Sequence, residues 1–227
     1  MIKGFINSTK KRGIPLNWRS LKSFTASYSQ MGEDIYLSYL FGPTKNSGMY
    51  IDVGCYDPIQ YSNTYLLYLR GWRGIAIDPN PRFKKKWKKH RPNDLFINEG
   101  ISNHEQDLYL AEHNLYPAMN KLCNSDIITQ VDKSNGFNVS QKIETRKLDT
   151  LINDNNIDSF DLLSIDCEGM DLDALKSINL SNHSPSVICI EDRESPLQGQ
   201  LHDHLVNYDY IFSAAIGISR IYVHKSF

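Results

Sequence analysis

Residues 49–58, MYIDVGCYDP, constrain this chain more than any other stretch. They read as a buried apolar strand that carries one acid and then turns through Gly54. In α/β proteins, a strand that feeds a helix through such a turn is where nucleotide-like cofactors are held. A dinucleotide site needs several glycines there, so that a helix N-terminus can approach a pyrophosphate. This turn has one glycine and two acids, Asp52 and Asp57. Acids suit a cationic, phosphate-free cofactor. The phase of Asp52-Val53-Gly54 favours S-adenosylmethionine, which carries a sulfonium and an ammonium group.

The remaining pattern supplies a sheet for that strand. At 227 residues the chain is one domain of α/β size. Short apolar strands are expected at 49–53, 74–77, 95–98, 160–165 and 187–190, with helices at 63–69, 82–91, 148–153, 170–178 and 197–205. A further helix spans 28–41, with Ser29 placed to cap it. This alternation argues for parallel βαβ units. A close final pair, 211–215 and 220–224 around Gly217, argues for an antiparallel edge. Residues 1–28 read as a basic arm, and 29–227 as the domain proper. Residues 108–111 and 143–147 read as exposed strands, and 112–142 between them as an irregular insert rich in Asn and Ser that would serve as an acceptor lid.

Composition excludes several classes. No run of eighteen apolar residues exists, so no membrane span is expected, and the first residues lack the apolar core of a signal peptide. The four cysteines show no paired spacing, which favours reduced thiols and a cytoplasmic setting. A net charge of −1 gives no sign of nucleic-acid binding. The charge is uneven, however. RFKKKWKKHR at 82–91 holds seven of the 25 Lys and Arg and no acid. It reads either as a solvated helix or as a basic flank for an anionic acceptor.

Acids recur at the expected strand ends: Asp52, Asp78, Glu99, Asp166 and the pair Glu191-Asp192. In an open parallel sheet these ends share one side, where ligands bind. Asp78 can accept from the ribose diol of an adenosine cofactor, or cap the Pro-Asn-Pro turn. Asp166, Glu191 and Asp192 would repel one another unless protonated, neutralised by Arg193 and nearby lysines, or bound to Mg²⁺, whose preference is for hard oxygen ligands. Glu168, in DCEGMD, can accept a proton from the acceptor or cap the next helix. No histidine has the spacing of a catalytic or metal pair.

In their order these landmarks resemble the FkbM family of S-adenosylmethionine-dependent methyltransferases. The resemblance rests on SQMGEDIYL, YIDVGCYDP, SNTYLLYLRGWRGIAIDPNP, INEGIS, LLSIDCEGMDLDAL and VICIED, which run from Ser29 to Asp192. It implies a class I, Rossmann-like fold, with a seven-stranded, mostly parallel sheet, an antiparallel last strand and helices on both faces. It implies methyl transfer to an oxygen, often a sugar hydroxyl of a glycan. Gly54 would meet the cofactor's methionine part and Asp78 its ribose. Ile101 and Ser102 would border the adenine, and Gln30 would cover it, with Asp52 and Asn63 completing the cofactor set. Asp166, Glu191 and Asp192 match the Mg²⁺ ligands of relatives that methylate antibiotic sugars. The histidine base of those relatives falls at Gly169 here. The expected partners are a small-molecule or glycan acceptor and, through the basic arm, a second copy of the chain. The rival readings are a Rossmann-like oxidoreductase, disfavoured by the missing glycines, and a non-catalytic relative that binds a glycan or protein through the insert.

Overall fold

The computed structural model describes residues 25–124, 135–194 and 197–227. Most of the expected arm, and 125–134 of the expected insert, lie outside the described residues. Seven strands form the main sheet: β1 (Met49–Val53), β2 (Arg73–Ile77), β3 (Leu95–Ile97), β8 (Leu162–Ile165), β9 (Val187–Glu191), β10 (Tyr210–Ile216) and β11 (Ser219–His224). Their order is β10-β11-β9-β8-β1-β2-β3. All neighbours from β9 to β3 pair in parallel, and β11 runs antiparallel to both β9 and β10. This is the class I architecture that the resemblance implies. The final hairpin differs from the expected antiparallel edge in one respect. Its last strand inserts between β9 and β10, which leaves β10 at the edge.

Alternation along each strand divides the core. On one face Ile51, Val53, Leu163, Ile165 and Ile190 pack against α4 (Leu148–Asp154), α5 (Asp171–Lys176) and α6 (Gly199–Val206). On the other, Tyr50, Leu162 and Cys189 meet α1 (Glu33–Leu40) and α2 (Tyr65–Leu69). The basic segment forms a short 3-10 turn, Pro81–Phe83, and then α3 (Lys84–His90). Asn80 accepts from the Arg82 N–H at 3.0 Å to start the turn, and Trp87 is the buried residue of the helix.

A helix running from residue 28 is not observed. α1 begins at Glu33, because buried Asp34 gathers the preceding loop. Its carboxylate accepts from Ser27 Oγ (2.7 Å), the Tyr28 N–H (2.7 Å) and Ser29 Oγ (2.8 Å). Ser29 in turn accepts from the Gly32 N–H. That knot holds Gln30 at the carboxyl end of the sheet.

Within the segment expected to be irregular, the described residues at 112–113, 121–123 and 137–142 are strand. A second sheet, β4-β7-β5-β6, is built from β4 (Gly100–Ile101), β5 (Asp107–His113), β6 (Lys121–Cys123) and β7 (Phe137–Arg146). Leu108 and Leu110 alternate inward along β5 and are fully buried. Among the described residues no helix is long and apolar enough to cross a membrane, and no disulfide joins the four cysteines.

Candidate active site

A cavity opens over the carboxyl ends of β1, β2 and β8, and encloses about 750 Å³ counted out to its mouth. Its floor is Val53, Gly54, Ile77, Asp78 and Asp166, and its roof comes from the second sheet through Leu110, Lys121 and Leu122. Gln30 and Ile101 close the sides. Among the described residues, four carboxyl groups line it (Asp78, Glu99, Asp166, Glu168) against a single lysine. Such a wall favours a cationic guest over a pyrophosphate.

Gly54 is required by packing. It has φ +76°, and a Cβ there would lie 1.7 Å from the Asp166 carbonyl oxygen. The turns after β1 and β8 touch at this point, so any side chain would force them apart. Beyond it Tyr56 and Glu168 both adopt left-handed backbone (φ 44° and 51°), which is costly for side-chain-bearing residues and concentrates at functional sites.

Asp78 sits at the base of the cavity. One carboxylate oxygen accepts the Tyr56 N–H (3.0 Å) and the other the Asn80 N–H (2.8 Å), which leaves lone pairs on both for a ligand diol. Burial pushes its carboxyl up to about 7, against the pull of those two N–H groups.

Asp166, Glu168 and Glu191 each bring a carboxylate oxygen within 4.8 Å of the others. Burial raises the Asp166 carboxyl well above the ordinary range, and Glu191 beside it pushes further in the same direction. Glu168 is raised by the same two causes. Arg193 bridges two of the three, donating from Nε to Glu191 (2.7 Å) and from its terminal nitrogen to Glu168 (3.0 Å). Glu191 Oε2 is buried with no hydrogen-bond partner among the described residues. Asp171 holds the loop in place, accepting from the Cys167 N–H (2.7 Å) and the Gly169 N–H (3.0 Å). Glu168 does not take the capping role considered for it, and α5, whose N-cap is Met170, has no side-chain cap among the described residues.

Other expected site residues are elsewhere. Asp52 lies within β1 and shares Tyr50's face, where it accepts from Thr64 Oγ1 at 2.6 Å beneath the sheet. Asn63 is on that same face and donates to Ser164 Oγ at 3.3 Å. Ser102 is fully buried, donates to Asp173 at 2.7 Å and does not line the cavity. Asp192 accepts from the Glu194 N–H and stands apart from the carboxylate trio. Asp57 is paired with Lys86. The structure thus brings together Gln30, Gly54, Asp78, Ile101, Asp166 and Glu168, with Glu191 behind the last two. The sequence reading missed the roof residues. The alternation of Leu108 and Leu110 carried a signal for one side of it.

Comparison with known proteins agrees with this geometry. Residues 52–212, most of the chain, match the Methyltransferase FkbM domain family. A solved structure described as a TehB-like SAM-dependent methyltransferase from Corynebacterium glutamicum ATCC 13032 Kitasato is similar, with a TM-score of 0.45 and 12% identity over 98% of this chain and 100% of that one. That likeness is too distant to bear on the site. No curated protein matches the sequence. The family match spans the strand ends that bound the acidic cavity, and on it the chain belongs to the FkbM family of S-adenosylmethionine-dependent methyltransferases.

Proposed function

We propose that this protein transfers a methyl group from S-adenosylmethionine to a hydroxyl oxygen of a sugar or glycan-like acceptor. The observation that carries this reading is the shared cavity. Asp166 and Glu168, which suit a proton acceptor, line the same space as Gly54 and Asp78, which suit an adenosine-bearing cofactor. Bound S-adenosylmethionine supplies a methyl group already activated on its sulfonium. The chain's own task is orientation and deprotonation. Asp78 accepts from the ribose diol, Ile101 flanks the adenine, and Gln30 covers the cofactor. Glu168 Oε takes the proton of the acceptor hydroxyl as the oxygen approaches the methyl carbon. Leu110 and Leu122 in the roof limit competition from water.

The trio also fits a divalent cation. Its donors are hard oxygens at close range, and one of them, Glu191 Oε2, has no hydrogen-bond partner among the described residues. Asp166, Glu168 and Glu191 would hold Mg²⁺, a set that replaces Asp192 with Glu168. When bound, the ion would make an acceptor hydroxyl more acidic. The unbridged cysteines suit the reducing cytoplasm.

The test uses methyl-labelled S-adenosylmethionine and a panel of free sugars and glycans, with and without EDTA, and product NMR. A methyl ether is expected, formed more slowly after chelation and lost in Glu168→Gln. A methyl group on nitrogen or carbon, or cofactor binding with no turnover on any hydroxyl acceptor, would overturn the assignment. A rate untouched by EDTA would remove the ion alone.

A further inference from the structure

Two exposed elements at the cavity's rim carry chemistry that methyl transfer does not use. The first is α3. Trp87 is buried and stacked on Phe96, with ring centroids 5.8 Å apart, so Lys85 and Lys89, two positions to either side, project from the opposite face. Lys84 and Lys88 are exposed beside them. None of the four has an ion-pair partner among the described residues, whereas neighbouring Lys86 is paired with Asp57. The turn that opens α3 lines the cavity through Phe83.

The second element is the loop over 114–120. Its Pro117, Ala118 and Asn120 line the same cavity, while Leu115, Tyr116 and Met119 are 76%, 60% and 42% exposed. Arg82 and Asn80 both bind Glu112, at 2.9 and 3.0 Å, which ties the start of α3 to the end of β5 just before this loop. The two elements therefore stand on one rim. A single exposed leucine needs no explanation, but three large apolar side chains within five positions, beside four unneutralised lysines, mark an interaction surface.

The combination identifies the partner. A polyanionic glycan or a nucleic acid would meet the lysines and leave the apolar loop in water. At an anionic bilayer both are used: apolar side chains enter the headgroup boundary, and lysines meet the lipid charge. The first 24 residues add six Lys and Arg and no acid to the charge such a surface attracts.

We propose that the rim formed by α3 and the 114–120 loop docks on an anionic membrane surface, so that the cavity faces the headgroups and the acceptor is a glycan carried on a lipid. The nature of the acceptor rests on the methyl-transfer reading, and the docking does not. The test is flotation of the full chain with phosphatidylglycerol–phosphatidylcholine vesicles and with pure phosphatidylcholine, in about 0.1 M salt. Binding is expected to the anionic vesicles only. Lys85→Glu with Lys89→Glu should weaken it by about fivefold per lysine or more, and Leu115→Ser with Tyr116→Ser by about tenfold. Both variants should keep wild-type affinity for S-adenosylmethionine by calorimetry, which shows that they fold. No binding to either vesicle by a wild-type chain that binds the cofactor would overturn the docking alone. Vesicle binding unchanged by both pairs of substitutions, or a serine pair without effect while heparin displaces the protein, would overturn it too. Vesicle binding without cofactor binding would instead remove the methyl-transfer reading.

Discussion

Asp52, within β1, and Asp166, just past the end of the neighbouring parallel strand β8, are acids whose carboxyls burial pushes upward. They differ in their company. Asp52 accepts from Thr64 and lies near Arg91, whose charge pulls its carboxyl back down. Arg91 is itself buried and fully engaged, with Asp94 at 2.6 Å, Tyr50 at 2.6 Å and Thr64 at 3.0 Å. Asp166 faces two more carboxylates, and the one guanidinium nearby reaches the other two from an exposed position. Burial of an acid therefore does not mark a site. Burial with too little compensating charge does, because that is where a cation or a transferable proton has work to do.

This contrast is open to direct attack. The largest expected effect is on the compensated side. Arg91→Ala would strand Asp94 and Asp52, and should lower folding stability by about 3–5 kcal/mol in urea denaturation. A loss below about 1 kcal/mol would mean that the network is ornamental. On the uncompensated side the expectation reverses. Glu168→Gln replaces a carboxylate whose ionisation is opposed by burial and by Glu191. Stability at pH 7 should hold or rise while turnover falls by about 100-fold or more. Equal damage to stability and turnover would erase the distinction between the two acid sets.

A smaller effect sharpens it further. Thr64→Val removes the donor to Asp52 and the acceptor for Arg91 but leaves both charges in place. The expected cost is about 1.5–3 kcal/mol, the range of a hydrogen bond to a charged group, with cofactor affinity by calorimetry unchanged. A Thr64→Val protein that lost cofactor binding would bring Asp52 back into the site.

Strand and helix order was legible because each element carries its own periodicity. β1 is an apolar run broken only by Asp52, and α3 is a lysine helix with Trp87 as its single buried anchor. The same periodicity, followed one step further, separates the acids. Asp52 falls two positions after Tyr50 and must share its face, away from the cavity, whereas Asp78 and Asp166 follow the last residues of their strands. The second sheet was legible in part, through the exposed strands expected at 108–111 and 143–147, and composition hid the rest. Asn and Ser are frequent over 112–142, yet Val139 and Ile143 alternate with polar residues along β7 in the manner of an exposed strand. The insertion of β11 between β9 and β10 was not legible at all, since hairpin spacing is the same whichever strand lies at the edge. Nor could spacing show that Asp171, rather than Glu168, would take the N–H groups of the DCEG loop.

Asp78 lies between these extremes and gives the most delicate test. No cation pairs with it among the described residues, but two backbone N–H groups hold its carboxylate, and burial pushes its carboxyl up to about 7. The proton is therefore retained in the folded protein at pH values where an unfolded aspartate, near 3.9, has lost it. Folding stability should accordingly fall as pH rises from about 4 to about 7, and then level off. Affinity for S-adenosylmethionine should run the other way. The ionised carboxylate is the better acceptor for a ribose diol, so binding measured by calorimetry should strengthen several-fold between about pH 6 and 8. In Asp78→Asn that rise should vanish, because an amide offers one acceptor oxygen at every pH and cannot serve both N–H groups and the diol. A rise that persists in the Asn variant would assign the titration to Asp166, and with it the dominant electrostatic contact to the cofactor's cationic end.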